Sequence, residues 1–403
     1  MRLKLGIFGC LSMAFALQGA PAQPVNNVQA APPSATTVFE LPRPTGKYPV
    51  GTYMAAVTDP DRREIFTADP ADRRRVALQV YYPAAKGCAP QPYIPSALAD
   101  TLVGMLRTEK GFERRLKAHA CTDAKLAAGS EKYPLVLFSH GLGPSHFFYV
   151  SLLEDLASRG NIVVAIDHPH GSGATYFPDG PLVLRDGSRW GKGPEQSLAA
   201  GNEFFRNWAE DARSVLDRIF RNDGTVLPKE LGKRVDPGRV AYMGHSYGGV
   251  SAIYAAQVDG RIKAALNLDG GVGTPAEYPR MLMPVATDVP LLVLNSENYD
   301  ESQSYAKSVR LARLRGVSHG TFGDLLWFRE KLVGTGAPPA GNAPPAGGNG
   351  PMPPANPLPA VEGIRLTREL SSLFLECAFT QNCARLDSAL DAARVPADEK
   401  PAN

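Results

Sequence analysis

Short, nearly unbroken apolar runs recur along this chain, separated by longer stretches with helical spacing. The runs are "VALQVYYP" (Val76–Pro83), "YPLVLFSH" (Tyr133–His140), "NIVVAIDH" (Asn161–His168), "RVAYMGHS" with its apolar part at Val240–Met243, "IKAALNLD" (Ile262–Asp269) and "PLLVLNSE" (Pro290–Glu297). Runs this short without polar alternation predict strands covered on both faces, as in a parallel sheet. One further strand is expected at Val309–Arg315. Helical spacing appears at Ser151–Arg159, Glu203–Phe220 and Val250–Val258. Strands alternating with helices predict one doubly wound α/β domain, a mostly parallel sheet with helices on both faces. Sites in such sheets lie beyond the carboxyl ends of the strands. The polar residues expected there are His140, His168, Ser246, Asp269 and Glu297.

The pattern changes at both ends and in one interior tract. "MRLKLGIFGCLSMAFALQGAPAQP" has basic residues at Arg2 and Lys4, an apolar stretch at Leu5–Leu17 and small residues at Ala20–Ala22. This predicts a cleaved export signal over 1–22 and a secreted or periplasmic protein. The stretch is too short to span a bilayer, and Cys10 lies too early to mark a lipoprotein. A Pro/Ala-rich linker is expected over 23–44 and the folded domain over 45–333. "GTGAPPAGNAPPAGGNGPMPPANPLPA" (334–360) reads as a flexible excursion. A helix at Ile364–Phe379 returns the chain to the domain over 361–385, and 386–403 reads as a frayed tail.

Composition sharpens this picture in two respects. The 403 residues are 44% hydrophobic and 21% charged, enough for a sizeable core. The balance of 43 basic and 40 acidic residues, without long charge blocks, gives no reason to expect nucleic acid as a partner. Of five cysteines, four remain after signal cleavage: Cys88, Cys121, Cys377 and Cys383. An even number in an oxidising compartment predicts two disulfides. Three pairings exist; Cys377 with Cys383 closes a short loop, and Cys88 with Cys121 would staple another.

The chemistry centres on "RVAYMGHSYGGVSAIYAAQ" (Arg239–Gln257). A buried strand turns directly into a helix at Ser246, between Gly244 and Gly248. Neighbours without a Cβ leave room for the close approach, and the hydroxyl projects at the helix N-terminus. This is the nucleophile elbow of the α/β-hydrolases, predicting the α/β-hydrolase fold. The spacing alone is weak; the strand before and the helix after give it weight. A serine hydroxyl needs a base, usually a histidine held by a carboxylate. In the order Ser–acid–His, only His319 of the seven histidines follows Ser246 with room for an acid between them. Asp269 ends the strand after the elbow helix; Glu297 and Asp300 end the next one. Position does not decide between them. The oxyanion hole should take one amide from Tyr247, after the nucleophile, and one from "FSHGLGPS" (Phe138–Ser145), with Leu142 as donor. His140 is expected to brace that loop. "DHPHGSG" (Asp167–Gly173) is a weak metal pattern, so no metal or other cofactor is expected. "HFFY" (His146–Tyr149) reads as acyl pocket or core.

"TGKYPVG", "YPLVLFSHGLG", "LASRGNIVVAIDHPHGSGATYF", "GHSYGG", "ALNLDGG" and "RGVSH" together resemble, in order, the landmarks of the plasma-type platelet-activating factor acetylhydrolases. The resemblance covers roughly 45–334. It implies Ser246 as nucleophile, His319 as base, Asp269 as acid, and Leu142 and Tyr247 as oxyanion donors. It further implies metal-independent action on phospholipids with short or oxidised acyl chains. The chain departs from animal members at "NLDGG", in the Pro/Gly tract and in its cysteines. The expectation is thus an exported serine esterase acting on a small-molecule ester or phospholipid. Transient contact with a lipid surface is compatible with this, but no segment marks a lipid-binding helix. The rivals are a cutinase-like polyester esterase or general carboxylesterase, and a non-catalytic hydrolase-fold binding protein.

Overall fold

A computed structural model describes residues 37–88, 90–186, 194–270, 288–299, 309–333 and 354–396. The expected export signal, most of the linker, most of the Pro/Gly tract and Asp300 lie outside the described residues. In chain order the elements are β1 (Phe39–Glu40), β2 (Val50–Arg63), β3 (Arg73–Pro83), β4 (Pro90–Pro92), α1 (Ala99–Leu106), β5 (Leu116–Thr122), β6 (Tyr133–Ser139), α2 (Val150–Ser158), β7 (Ile162–Asp167), β8 (Ala174–Tyr176), β9 (Leu182–Leu184) and α3 (Pro194–Arg221). They continue as α4 (Lys229–Gly232), β10 (Val235–His245), α5 (Tyr247–Val258), β11 (Ala264–Leu268), β12 (Leu291–Asn295), β13 (Val309–Arg313), α6 (Leu325–Val333), α7 (Ala360–Thr380) and α8 (Ala384–Ala393).

The main sheet runs β1-β5-β2-β3-β7-β6-β10-β11-β12-β13, with β4 on β5. From β7 to β13 every pairing is parallel; β3 is antiparallel to both β2 and β7. The predicted two-sided burial holds residue by residue. On β10, Val240 and Tyr242 join one apolar cluster with Ala212 and Leu216 of α3 and Ile253 of α5. Ala241 and Met243 join the opposite cluster with Leu153 of α2 and Phe374 of α7. This is the period-two alternation of a strand with helices above and below it.

Three expectations need correction. The domain begins earlier than residue 45: Phe39 and Leu41 are buried, and β1 pairs with β5. The excursion ends sooner than residue 360, because the Leu358 amide donates to the Gly316 carbonyl at 2.8 Å and Ala360 is buried. Residues 386–396, expected as a frayed tail, are ordered instead; the rest of that tail lies outside the described residues. Leu386 and Leu390, four apart on one face of α8, are buried, and each such side chain contributes roughly 1.5–3 kcal/mol. Beyond α8, the Val395 amide donates to the Arg313 carbonyl at 2.8 Å, fastening the chain to β13. Both disulfides form with the expected partners, Cys88–Cys121 and Cys377–Cys383.

Candidate active site

β10 delivers Ser246 at the carboxyl edge of the sheet. Its backbone is forced to φ 54°, ψ −118°, a region non-glycine residues seldom occupy. The corner is as tight as the sequence implied. A Cβ on Gly244 would lie 2.3 Å from the Gly248 carbonyl carbon, and one on Gly248 would lie 2.2 Å from the Ser139 oxygen. The Ser246 amide is fixed by the Leu268 carbonyl at 2.7 Å. Tyr247 opens α5, so its amide sits at the positive end of the helix.

The two candidate acids, between which position in the chain does not decide, make different contacts. Asp269 also has a left-handed backbone, φ 55°, and its side chain is fully buried. Its Oδ2 accepts from His319 Nδ1 at 2.7 Å, and its Oδ1 accepts the Ser296 amide at 2.7 Å. Glu297 faces elsewhere: one carboxylate oxygen accepts the Gly316 amide, which caps the loop carrying His319. The His319 side chain is 48% exposed, open on the side away from Asp269. It opens a short 3-10 turn, His319–Phe322, held by reciprocal Ser318–Thr321 capping bonds.

The loop after β6 lies beside the serine. A Cβ on Gly141 would lie 3.3 Å from Ser246 Cβ. The amides on either side of Leu142 are engaged: Gly141 donates to Tyr149 Oη at 3.2 Å and Gly143 to the Gly171 carbonyl at 2.9 Å. His140 braces this loop as expected. Its Nδ1 donates to the Gly141 carbonyl at 2.7 Å and its Nε2 accepts the His168 amide at 3.2 Å. Burial pushes His140 down to about 4, so it stays neutral.

The residues of "DHPHGSG" are engaged with one another and with the core. Asp167 accepts from His146 at Nδ1 (2.6 Å) and at its amide (2.8 Å). His168 spans Asp211 (2.8 Å) and Ser139 (2.8 Å), its ring stacked on Trp208 at 4.1 Å. Among the described residues no three His, Cys, Asp or Glu side chains converge as metal ligands. Of "HFFY", Phe147, Phe148 and Tyr149 are buried with the core.

The sequence reading took Tyr149 as acyl pocket or core and gave His245 no role, yet both lie near the serine. Tyr149 Oη bonds His245 Nδ1 at 2.8 Å, and His245 Nε2 bonds the His319 carbonyl at 2.9 Å. The one available signal was His245's place immediately before the serine.

A model described as "Alpha/beta hydrolase family" matches residues 136–392. The chain belongs to the alpha/beta hydrolase family. Within this alpha/beta hydrolase, residues 34–188 also match the model "Platelet-activating factor acetylhydrolase, isoform II". The bovine platelet-activating factor acetylhydrolase is 29% identical over 247 residues, 53% of each chain. The dog protein of the same name is 30% identical over 232 residues, 51% of each. A "Probable 1-alkyl-2-acetylglycerophosphocholine esterase" of Arthroderma benhamiae is 27% identical, covering 61% of this chain and 62% of the other. The chain therefore spans about half the length of the two mammalian relatives. Among solved structures, a ferulic acid esterase from Streptomyces cinnamoneus superposes with a TM-score of 0.66 at 26% identity, covering 90% of this chain and 97% of that one.

Proposed function

We propose that this protein is an exported serine esterase that hydrolyses short-chain carboxylic esters through Ser246, His319 and Asp269. The observation that carries this reading is the 2.7 Å bond from a buried Asp269 to His319, on the loop that faces the strained Ser246 elbow. Ser246 Oγ attacks the ester carbonyl carbon, and His319 Nε2 takes its proton. Asp269 fixes the proton on Nδ1 and stabilises the imidazolium that forms. The amides of Leu142 and Tyr247 receive the oxyanion. When the tetrahedral intermediate collapses, the alcohol leaves with the proton from His319. Water, deprotonated by His319, then attacks the acyl-serine and releases the acid. The roles of Leu142 and Tyr247 rest on the engaged neighbours of the first and the helix-start position of the second.

Resemblance to platelet-activating factor acetylhydrolases supports a phospholipid with a short sn-2 acyl group as the substrate class. The ferulic acid esterase likeness, which spans nearly the whole chain, favours a second reading as a general carboxylesterase. A non-catalytic role would normally entail loss of one of the three side chains, and all three are present. Export is supported by the two disulfides, which persist in oxidising compartments.

The deciding experiment is Ser246→Ala. It should lose p-nitrophenyl acetate hydrolysis and phosphonate labelling while keeping its circular dichroism. Residual activity above about a hundredth of wild type would remove Ser246 as nucleophile. A panel graded by acyl length, with phospholipid and p-nitrophenyl alcohol parts, separates the two substrate readings.

A further inference from the structure

The geometry points to His245 and Tyr149 as positioning residues that tie the oxyanion loop, the nucleophile and the base loop into one unit. This inference rests on the esterase reading above. The hydrogen bonds have a forced direction. The His319 carbonyl can only accept, so His245 Nε2 carries the proton. His245 Nδ1 is then an acceptor, and Tyr149 Oη must donate to it. The same oxygen accepts the Gly141 amide. One continuous chain therefore runs from the Gly141 amide through Tyr149 and His245 to the His319 carbonyl, using the donor and acceptor capacity of each group.

Both ends and the middle land beside a catalytic group. Gly141 precedes Leu142, His245 precedes Ser246, and the last acceptor is the main chain of His319 itself. His319 has a half-exposed side chain held at Nδ1, which leaves the ring free to pivot unless its backbone is fixed. The His245 ring lies against it, centroids 4.5 Å apart, with Phe322 at 5.9 Å on His245. His245 and Tyr149 are both buried, where hydrogen bonds in a chain strengthen one another. Burial, with the neighbouring His319, keeps the His245 imidazole neutral well below its ordinary value. The carbonyl acceptor at Nε2 then fixes the tautomer of the neutral ring. A histidine serving only as core filler would not need its Nε2 proton taken by the main chain of His319.

The test uses three variants of the full chain. His245→Asn places an amide near the Nδ1 position and loses the bond to His319. His245→Gln reaches the Nε2 position and keeps it. Tyr149→Phe keeps the ring and removes the link to Gly141. The readouts are kcat and KM on p-nitrophenyl acetate, with kcat expressed per phosphonate-titrated site, and melting temperature. His245→Asn should lower kcat per titrated site roughly 10- to 100-fold, as sub-ångström misplacement of a base does, with KM changed less than about threefold. His245→Gln should recover most of that loss, and Tyr149→Phe should fall about three- to tenfold on the same reasoning. A purely structural role would lower melting temperature and the number of titratable sites but not kcat per site. His245→Asn within about twofold of wild type per site overturns the inference; if it does not fold, Tyr149→Phe within that margin does so. A wild type that is inactive, or whose activity survives Ser246→Ala, overturns instead the esterase reading beneath it.

Discussion

Replacing Asp269 by Asn tests the site most sharply, because the structure fixes which way the new amide must face. Asp269 Oδ1 accepts the Ser296 amide at 2.7 Å and Oδ2 accepts from His319 Nδ1 at the same distance. In Asn, the oxygen must stay on the Ser296 N–H, since an NH₂ group there would oppose another donor. The NH₂ group then faces His319 Nδ1 and can be satisfied only if Nδ1 is an acceptor. That moves the imidazole proton to Nε2, the atom that must be bare to take the proton of Ser246. An equivalent tautomer reversal in a serine protease costs on the order of 10⁴ in kcat, about 5 kcal/mol of barrier. Glu297→Gln is the control. Its carboxylate accepts the Gly316 amide, a bond the Gln oxygen can keep, so its activity should stay within roughly tenfold of wild type. The assay is kcat at neutral pH on p-nitrophenyl acetate, with circular dichroism for both variants. A folded Asp269→Asn retaining more than about 1% of kcat, beside a collapsed Glu297→Gln, would refute the assignment and return the acid to the strand after β11.

Other outcomes follow from the same structure. Denatured, unreduced mature protein should show no titratable thiol. Replacing both cysteines of Cys88–Cys121 by Ser should cost about 3–4 kcal/mol, against roughly 2 for Cys377–Cys383, because the first closes a loop of 33 residues and the second one of 6; equal losses would contradict this ordering. His140 should withdraw stability on acidification from about pH 6.5 toward 4, so His140→Gln should lessen the loss of melting temperature on acidification over that window, and an unchanged slope would contradict this. His140 is held down to about 4 by burial, so the unfolded chain binds the proton first, a loss on the order of 3 kcal/mol from that residue. Glu154 has the opposite sign: burial raises it to about 7, so it withdraws stability as pH rises from the unfolded carboxyl value toward 7. Removing this group by Glu154→Gln should therefore make the slope of melting temperature against pH more positive between about 4.5 and 7, and an unchanged slope would refute it.

The parallel strands and the elbow were legible because continuous apolar runs and a cramped Gly-x-Ser-x-Gly corner are local signals. Other elements were not. Two of the four buried positions of β5, Ala118 and Ala120 beside Leu116 and Cys121, are alanine, a poor strand former. The far half of β2 contains Asp59–Pro60–Asp61, which has the composition of a turn. α8 looked like a polar tail because its burial rests on Leu386 and Leu390. At the site, the choice between Asp269 and Glu297 turned on which side chain faced the imidazole and which faced the Gly316 amide. Both acids end adjacent strands, so spacing carried no such information. His245 went unread for a different reason: its partners lie 96 and 74 residues away.

The fastening of the base loop bears on when the chain could become active during its own synthesis. Ser246 and Asp269 directly follow strands that end at His245 and Leu268. The loop bearing His319 is held from behind by residues that come later in the chain. The Gly316 carbonyl accepts the Leu358 amide, and the Arg315 amide donates to the Ala393 carbonyl. A methyl on Gly363 of α7 would lie 2.3 Å from the Thr321 side chain, so that helix presses directly on the turn. On the proposed reading, a chain lacking residues 354–396 would carry Ser246 without a seated His319. A fragment stopped at Val333 should therefore not react with a phosphonate, and labelling of that fragment would contradict this.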